Sequence, residues 1–226
     1  MRRRWCRRAI VAAGVAVCVA FVWLWLSFQR IPGWYRPVRL GPDDETRIRR
    51  EATAWADHVS DRIVNRREFT IEVSEHQINE FLAALPEVMP EARRYWPAWL
   101  VDPAVVVEEG GLRIGVKVTR PYWSCIVSGR MTAAVSDDGP SIRLAVGDLR
   151  CGGLPLPDGL ARRLASSAVA AAGSSGASGA RTGPHASDVL ERTWINRLTW
   201  PNGRRPIQII AIESGGGMVR VVVRPL

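Results

Sequence analysis

Few residues in this chain carry chemistry at a spacing that could use it. The three histidines, His58, His76 and His185, fall in three different elements, two at polar helical positions and one in a Gly/Ser-rich stretch. They read as solvent-exposed side chains. No His-x-x-x-His, Gly-x-Ser-x-Gly or phosphate-loop pattern occurs. Glu108-Glu109 and Asp137-Asp138 are adjacent carboxylates at turns, where such residues are ordinarily solvated. Splitting a carboxylate pair into acid and base needs burial or a charged neighbour, and nothing in the sequence points to either. Ser174-Ser175-Gly176 has no base beside it. A hydrolase would need Ser124 or Ser128 brought to a histidine by the fold. The chain is therefore read as non-enzymatic, with no catalytic residue, no metal and no cofactor.

The cysteines point to redox state rather than metal binding. Cys6 and Cys18 belong to the N-terminal apolar region, and none of the Cys spacings resembles a metal site. Cys125 and Cys151 lie in strand-like stretches on either side of Asp137-Asp138-Gly139, so a tight turn brings them nearly opposite. The apolar residues are odd-numbered before the turn (Val127, Met131, Ala133, Val135) and even-numbered after it (Ile142, Leu144, Val146). A plain register that pairs those faces puts the two sulfurs on opposite sides of the sheet. A bulge at Gly129 or Gly147 returns them to one side. A Cys125–Cys151 disulfide and two buried free thiols stay open as alternatives.

Aromatic residues are the more informative set. Tyr95, Trp96, Trp99, Tyr122 and Trp123 can converge where an irregular segment meets a strand. They either complete a core or line an apolar groove. On the groove reading its walls are Phe81, Leu85, Trp96, Trp99 and Trp123, with the strand face of Leu112, Ile114, Val116 and Val118.

The elements that must position these residues begin with Ala9–Phe28, twenty residues without a charge. A helix of that length spans roughly 30 Å, the thickness of a bilayer's hydrocarbon core. Five arginines precede it and no acid occurs before Asp43, which by the positive-inside tendency keeps residues 1–8 in the cytoplasm. The run ends in large and aromatic side chains, unlike a signal-peptidase site. It reads as an uncleaved signal anchor of a cytoplasmic (inner) membrane, with the C-terminal domain outside. Residues 29–42 read as a stalk and 43–226 as one extracytoplasmic domain.

Within that domain Ile48, Ala52, Trp55, Val59 and Ile63 form one helical stripe from Asp43 or Asp44 to about Asn65. Phe69, Ile71 and Val73 alternate as a strand. Ser74 and Gln77 make a capping box for a helix that Pro86 ends. Strand-period segments follow at Val105–Glu108, Leu112–Arg120, Tyr122–Val135 and Ser141–Leu149, an antiparallel meander. A helix is expected from near Asp158, a mobile loop over 173–186, and another helix after Ser187 carrying Val189, Leu190 and Trp194. Pro201-Asn202-Gly203 reads as a turn. A hairpin of Pro206–Ile212 and Met218–Val223 closes the chain. The fold class is α+β: a transmembrane helix, then helices packed on a curved antiparallel sheet.

The formal charge of +9 and the pI near 10.5 do not indicate nucleic acid. Six of the arginines lie in residues 1–30 with no acid, leaving 25 basic against 22 acidic residues, so the excess is mostly a topology signal. Nucleic acid is accordingly not expected as a partner.

Two stretches carry a family resemblance. One is Phe69-Thr70-Ile71-Glu72-Val73-Ser74-Glu75-His76-Gln77-Ile78-Asn79-Glu80-Phe81-Leu82. The other is Val146-Gly147-Asp148-Leu149-Arg150-Cys151-Gly152-Gly153-Leu154-Pro155-Leu156-Pro157. With the basic N-terminus, the single anchor, Pro201-Asn202-Gly203 and the terminal hairpin, the chain resembles the YpmS-like bacterial proteins, single-pass membrane-anchored proteins of unknown function. The resemblance covers roughly residues 66–226. More distantly the plan is similar to tubular lipid-binding domains, which implies an apolar ligand groove and no catalysis. It carries over no catalytic residue. Two functions are therefore expected: a membrane-anchored extracytoplasmic protein holding a lipid or other apolar envelope molecule, or a non-enzymatic structural or accessory subunit of an envelope complex. Their partners are the membrane with a lipid ligand, and an envelope protein, respectively.

Overall fold

The longest element is an N-terminal helix, α1 (Arg2–Gln29), whose stretch Ile10–Gln29 is long and apolar enough to cross a membrane. The structure, a computed structural model, describes residues 2–65, 67–88, 100–136, 139, 141–157, 159, 180–181, 188–200 and 206–226. The expected helix near Asp158, the Pro201-Asn202-Gly203 turn and the Tyr95–Trp99 segment fall outside these residues, apart from Gly159. The remaining elements make an α+β fold. After α1 come α2 (Asp44–Val64), β1 (Phe69–Ser74), α3 (Glu75–Val88), β2 (Leu100–Glu108), β3 (Gly111–Arg120), β4 (Trp123–Val135), β5 (Ser141–Cys151) and β6 (Leu154–Pro155). They are followed by β7 (Ala180–Arg181), β8 (Asp188–Ile195), β9 (Leu198–Thr199), β10 (Pro206–Gly215) and β11 (Met218–Pro225).

The described strands form two antiparallel sheets where one was expected. The smaller has the order β1-β11-β10-β9, and α2 lies on it. The α2 stripe supplies Val59 and Ile63, which pack with Phe69, Ile207 and Val223 into the most completely buried cluster. Burying each such side chain stabilises the fold by about 1.5–3 kcal/mol. The larger sheet has the order β2-β3-β4-β5-β8-β7, with β6 paired to β5.

Asp188–Ile195 is a strand, not the expected helix. It pairs along β5 from Ser141–Ile195 to Gly147–Asp188. Three apolar residues fit either period, and the free edge of β5 decides the choice by offering a whole ladder of hydrogen bonds. Ala180–Arg181, inside the expected mobile loop, pair with β8 in turn.

Helix α3 guards the other edge of the larger sheet. Its Ser74–Gln77 capping box forms: the Gln77 N–H donates to Ser74 Oγ at 3.2 Å, and the Ser74 N–H to Gln77 Oε1 at 2.9 Å. One turn on, the buried Asn79 accepts the Val105 N–H and donates to the Val105 carbonyl, both at 2.7 Å. Glu75 accepts the Val107 N–H at 2.8 Å. Side chains thus satisfy backbone groups that an edge strand leaves open. Pro86 does not end α3, which runs to Val88. Proline sits here in the last turn, and Arg49 of α2 donates to the Glu87 carbonyl at 3.1 Å.

The residues expected as a stalk are partly folded onto the larger sheet. Tyr35 is buried with Ala104 and Ile126, and Trp34 packs beside it. Gly115 admits them: a Cβ there would lie 2.7 Å from the Trp34 ring and 3.0 Å from Tyr35. The Tyr35 hydroxyl donates to the carbonyl of Asp102, a residue with φ of 52°.

The end of α1 is fastened to the same sheet. Phe28 meets Trp123 edge-on at 5.5 Å and joins Val118, Cys125, Cys151 and Leu156. The Gly153 N–H donates to the Ser27 carbonyl at 2.8 Å, satisfying one of the acceptors a helix C-terminus leaves open.

Candidate functional site

Side chains of α2 and α3 that recur at three- and four-residue steps leave a gap where the two helices meet. Ile48, Ala52 and Trp55 line it from α2, and Ile78, Phe81 and Leu82 from α3, with Val73 contributed by β1. The groove holds about 290 Å³, at the small end of ligand sites, and its wall is predominantly apolar. Trp55 and Phe81 remain 43% and 36% exposed, although large aromatics ordinarily gain most from burial. Trp55 is not loose: its ring tilts against Trp200 at 5.9 Å, and the Trp200 indole N–H donates to Ser60 Oγ at 2.9 Å.

One rim of the groove is charged. Glu80 is buried and lies 2.6 Å from Arg47 Nη2 and 3.4 Å from His76 Nε2. Arg47 also reaches Asp44 at 3.1 Å and Glu51 at 3.3 Å. Hydrogen bonding to Glu80, then to Asp44 and Glu51, holds the Arg47 guanidinium even more firmly in its charged form. The Gly41 N–H, and next Arg47, hold the Asp44 carboxyl below its ordinary range. Glu80 thus shares one guanidinium with Asp44 and Glu51. The arrangement offers apolar contact along the groove and one salt-bridged rim for a polar head.

Among the described residues, Phe81 alone of the expected walls lines this groove. Leu85 lies one turn further along α3, half-buried. Leu112, Ile114, Val116 and Val118 share one face of β3, opposite Met131, Gly129, Val127 and Cys125. Val118 and Trp123 pack there with Phe28. The structure does not bring this face and Phe81 into one wall, because α3 meets the larger sheet through the edge of β2. Trp96 and Trp99 lie outside the described residues. Sequence reasoning missed Ile48, Ala52 and Trp55 as groove residues because a stripe at helical spacing reads as core. The stripe itself carries no signal that sets a groove wall apart from a core face.

Cys125 and Cys151 stand on one side of the sheet with their sulfurs 2.6 Å apart, both buried. A register break between Ser128 and Arg130, where Gly129 faces Asp148 and Leu149, reverses the alternation. Asp148 takes a φ of 47° there. The Cys151 S–H donates to Cys125 Sγ, which favours the thiolate at Cys125 and pushes the Cys151 thiol up. Ser128 is buried on β4, whereas His76 stands beside Glu80 on α3. Among the described residues no group of three or more His, Cys, Asp or Glu side chains is placed to hold a metal ion.

No family model, no curated protein and no solved structure matches this chain.

Proposed function

We propose that the protein is a single-pass, membrane-anchored extracytoplasmic protein that holds an apolar chain, such as part of a lipid acyl tail, in the groove between α2 and α3. The observation that carries this reading is the pairing of an unfilled apolar groove, with Trp55 and Phe81 exposed in it, and an N-terminal helix apolar on every side. A helix exposing Ile10 through Leu26 to water would be costly at about 25 cal/mol per Å², so a bilayer is its natural surroundings. Arginines before that helix and no acid until Asp43 support the orientation with the folded domain outside the cytoplasm. The groove accommodates a segment of chain rather than a whole lipid, and the Arg47–Glu80 rim would face a polar head.

Purifying the full-length protein from membranes in mild detergent, followed by organic extraction and mass spectrometry, tests the reading. A lipid or fatty acid retained in stoichiometric amount, and lost in Ala52→Trp, is the expected result. A protein carrying no lipid in either form, yet crosslinking to an envelope protein in membranes, would favour the accessory-subunit function instead.

A further inference from the structure

Where α1 ends, the larger sheet presents a second cavity, of about 270 Å³, that shares no lining residue with the α2–α3 groove. Its lining includes four arginines, Arg30, Arg113, Arg130 and Arg150, together with Ser128 and Trp34. Strand register brings most of these together. Arg113 is the direct cross-strand partner of Arg130, and Ser128 that of Arg150. Like charges directly opposite destabilise a sheet. Only part of this repulsion is answered. Glu108 lies 2.7 Å from Arg113 Nε and 3.7 Å from Arg130 Nε, and Asp148 lies 3.0 Å from Arg150 Nε. Two carboxylates thus face four cations, and Arg30 makes no ion pair among the described residues. Arg113 Nε is buried and, though close to Glu108, lacks the alignment of a hydrogen bond. Trp34 supports the Arg113 guanidinium from below, its ring 5.8 Å away.

We infer that this cavity binds a phosphate group, and specifically the headgroup phosphate of an anionic phospholipid. A phosphate oxygen set matches the planar forks of guanidiniums and supplies the negative charge that Glu108 and Asp148 leave wanting. Position selects the source. Arg30 directly follows α1, and Gly153, in the cavity wall, is bonded to the Ser27 carbonyl in its last turn. On the membrane-anchored reading proposed above, on which this part rests, the cavity lies level with lipid phosphates, where basic pockets beside membrane helices take up head groups.

The test is native mass spectrometry of the full-length protein in detergent micelles, with phosphatidylglycerol and, separately, inorganic phosphate as probes. Wild-type protein should retain phosphatidylglycerol, and Arg30→Gln/Arg150→Gln should bind it at least about tenfold more weakly. Both arginines are exposed and Arg30 supports no ion pair, so the fold should survive the change. Ala52→Trp should leave this binding unaltered, which separates the cavity from the α2–α3 groove; failure of the groove reading would not touch it. Binding of inorganic phosphate as tight as that of the lipid would overturn the lipid as occupant. Equal lipid binding by wild type and the double variant, or loss of it in Ala52→Trp, would overturn the site.

Discussion

Gly152 lies directly against Phe28: a Cβ added at Gly152 would stand 2.2 Å from the Phe28 carbonyl oxygen. With a φ of +60°, Gly152 is also in the left-handed region that other residues enter at a cost of about 1–2 kcal/mol. Gly152→Ala therefore combines backbone strain with a backbone clash and should part α1 from the sheet. Gly110 has a φ of +71° with nothing within 4 Å of its added Cβ, so Gly110→Ala measures the conformational cost alone. The melting temperature should fall by about 2–4 °C per kcal/mol lost, clearly more for Gly152→Ala. Trypsin should also cut faster at Arg30 and Arg39. Equal effects of the two substitutions would mean the contact with Phe28 contributes nothing.

Asn79 stands in for a neighbouring strand at Val105. Asn79→Ala leaves a buried backbone donor and acceptor unpaired, at about 1–3 kcal/mol each. Thermal unfolding should register a loss of about 2–4 kcal/mol, and light scattering should show a protein more prone to self-associate through the β2 edge. Asn79→Asp keeps the acceptor for the Val105 N–H but sets an oxygen against the Val105 carbonyl, so it should recover only part of the loss.

These features divide what the residues announce from what they do not. The α2 stripe, the Ser74–Gln77 box and the hairpins around Gly110 and Gly216 depend on neighbours within a few positions, and pattern alone locates them. Asp188–Ile195 depends on β5, more than forty positions away, and its few apolar residues fit a helix equally well. Pro86 reads as a stop, yet α3 runs on to Val88, and there Arg49, on another element, donates to the Glu87 carbonyl. Residues 29–42 read as a stalk because their docking partner, the absent side chain of Gly115, leaves no mark near them. The phosphate cavity was hidden for the same reason. Arg113, Arg130 and Arg150 are ordinary polar-face residues singly, and only the strand register and the break at Gly129 gather them.

Alkaline pH should release the Trp34–Tyr35 segment. Burial, and then the charge of Asp102, raise the Tyr35 phenol from 10.0 to about 12. A group whose folded pKa is raised stabilises fully below its unfolded value and loses that contribution as pH climbs toward the folded one. The loss therefore falls between about pH 10 and 12 and amounts to at most about 3 kcal/mol. Tyr35→Phe should cost about 1 kcal/mol at neutral pH and abolish this alkaline component of the melting profile. A profile identical for both proteins above pH 10 would remove Tyr35 as the cause.

Cys125 and Cys151 report on the compartment. An oxidising exterior should join them by exchange with a disulfide oxidant. The Cys125 thiolate attacks the oxidant's disulfide, Cys151 then resolves the mixed disulfide, and the oxidant leaves as two thiols. Denatured, unreduced protein from membranes should accept alkylation at Cys6 and Cys18 and, only after reduction, at Cys125 and Cys151. Reduction should cost about 3–4 kcal/mol of stability. Alkylation of all four without reductant would argue against a domain outside the cytoplasm.

The groove itself is the centre of the account, and titration with a fluorescent fatty acid tests it most directly. Delipidated full-length protein in detergent should bind the probe saturably at one site, with energy transfer from nearby tryptophan such as Trp55. Ala52→Trp, which fills the space between α2 and α3, should weaken binding at least about tenfold while leaving the melting temperature near that of the wild type. Saturable binding unchanged in Ala52→Trp, or no binding by the wild type at all, would contradict the proposal that this groove holds an apolar chain.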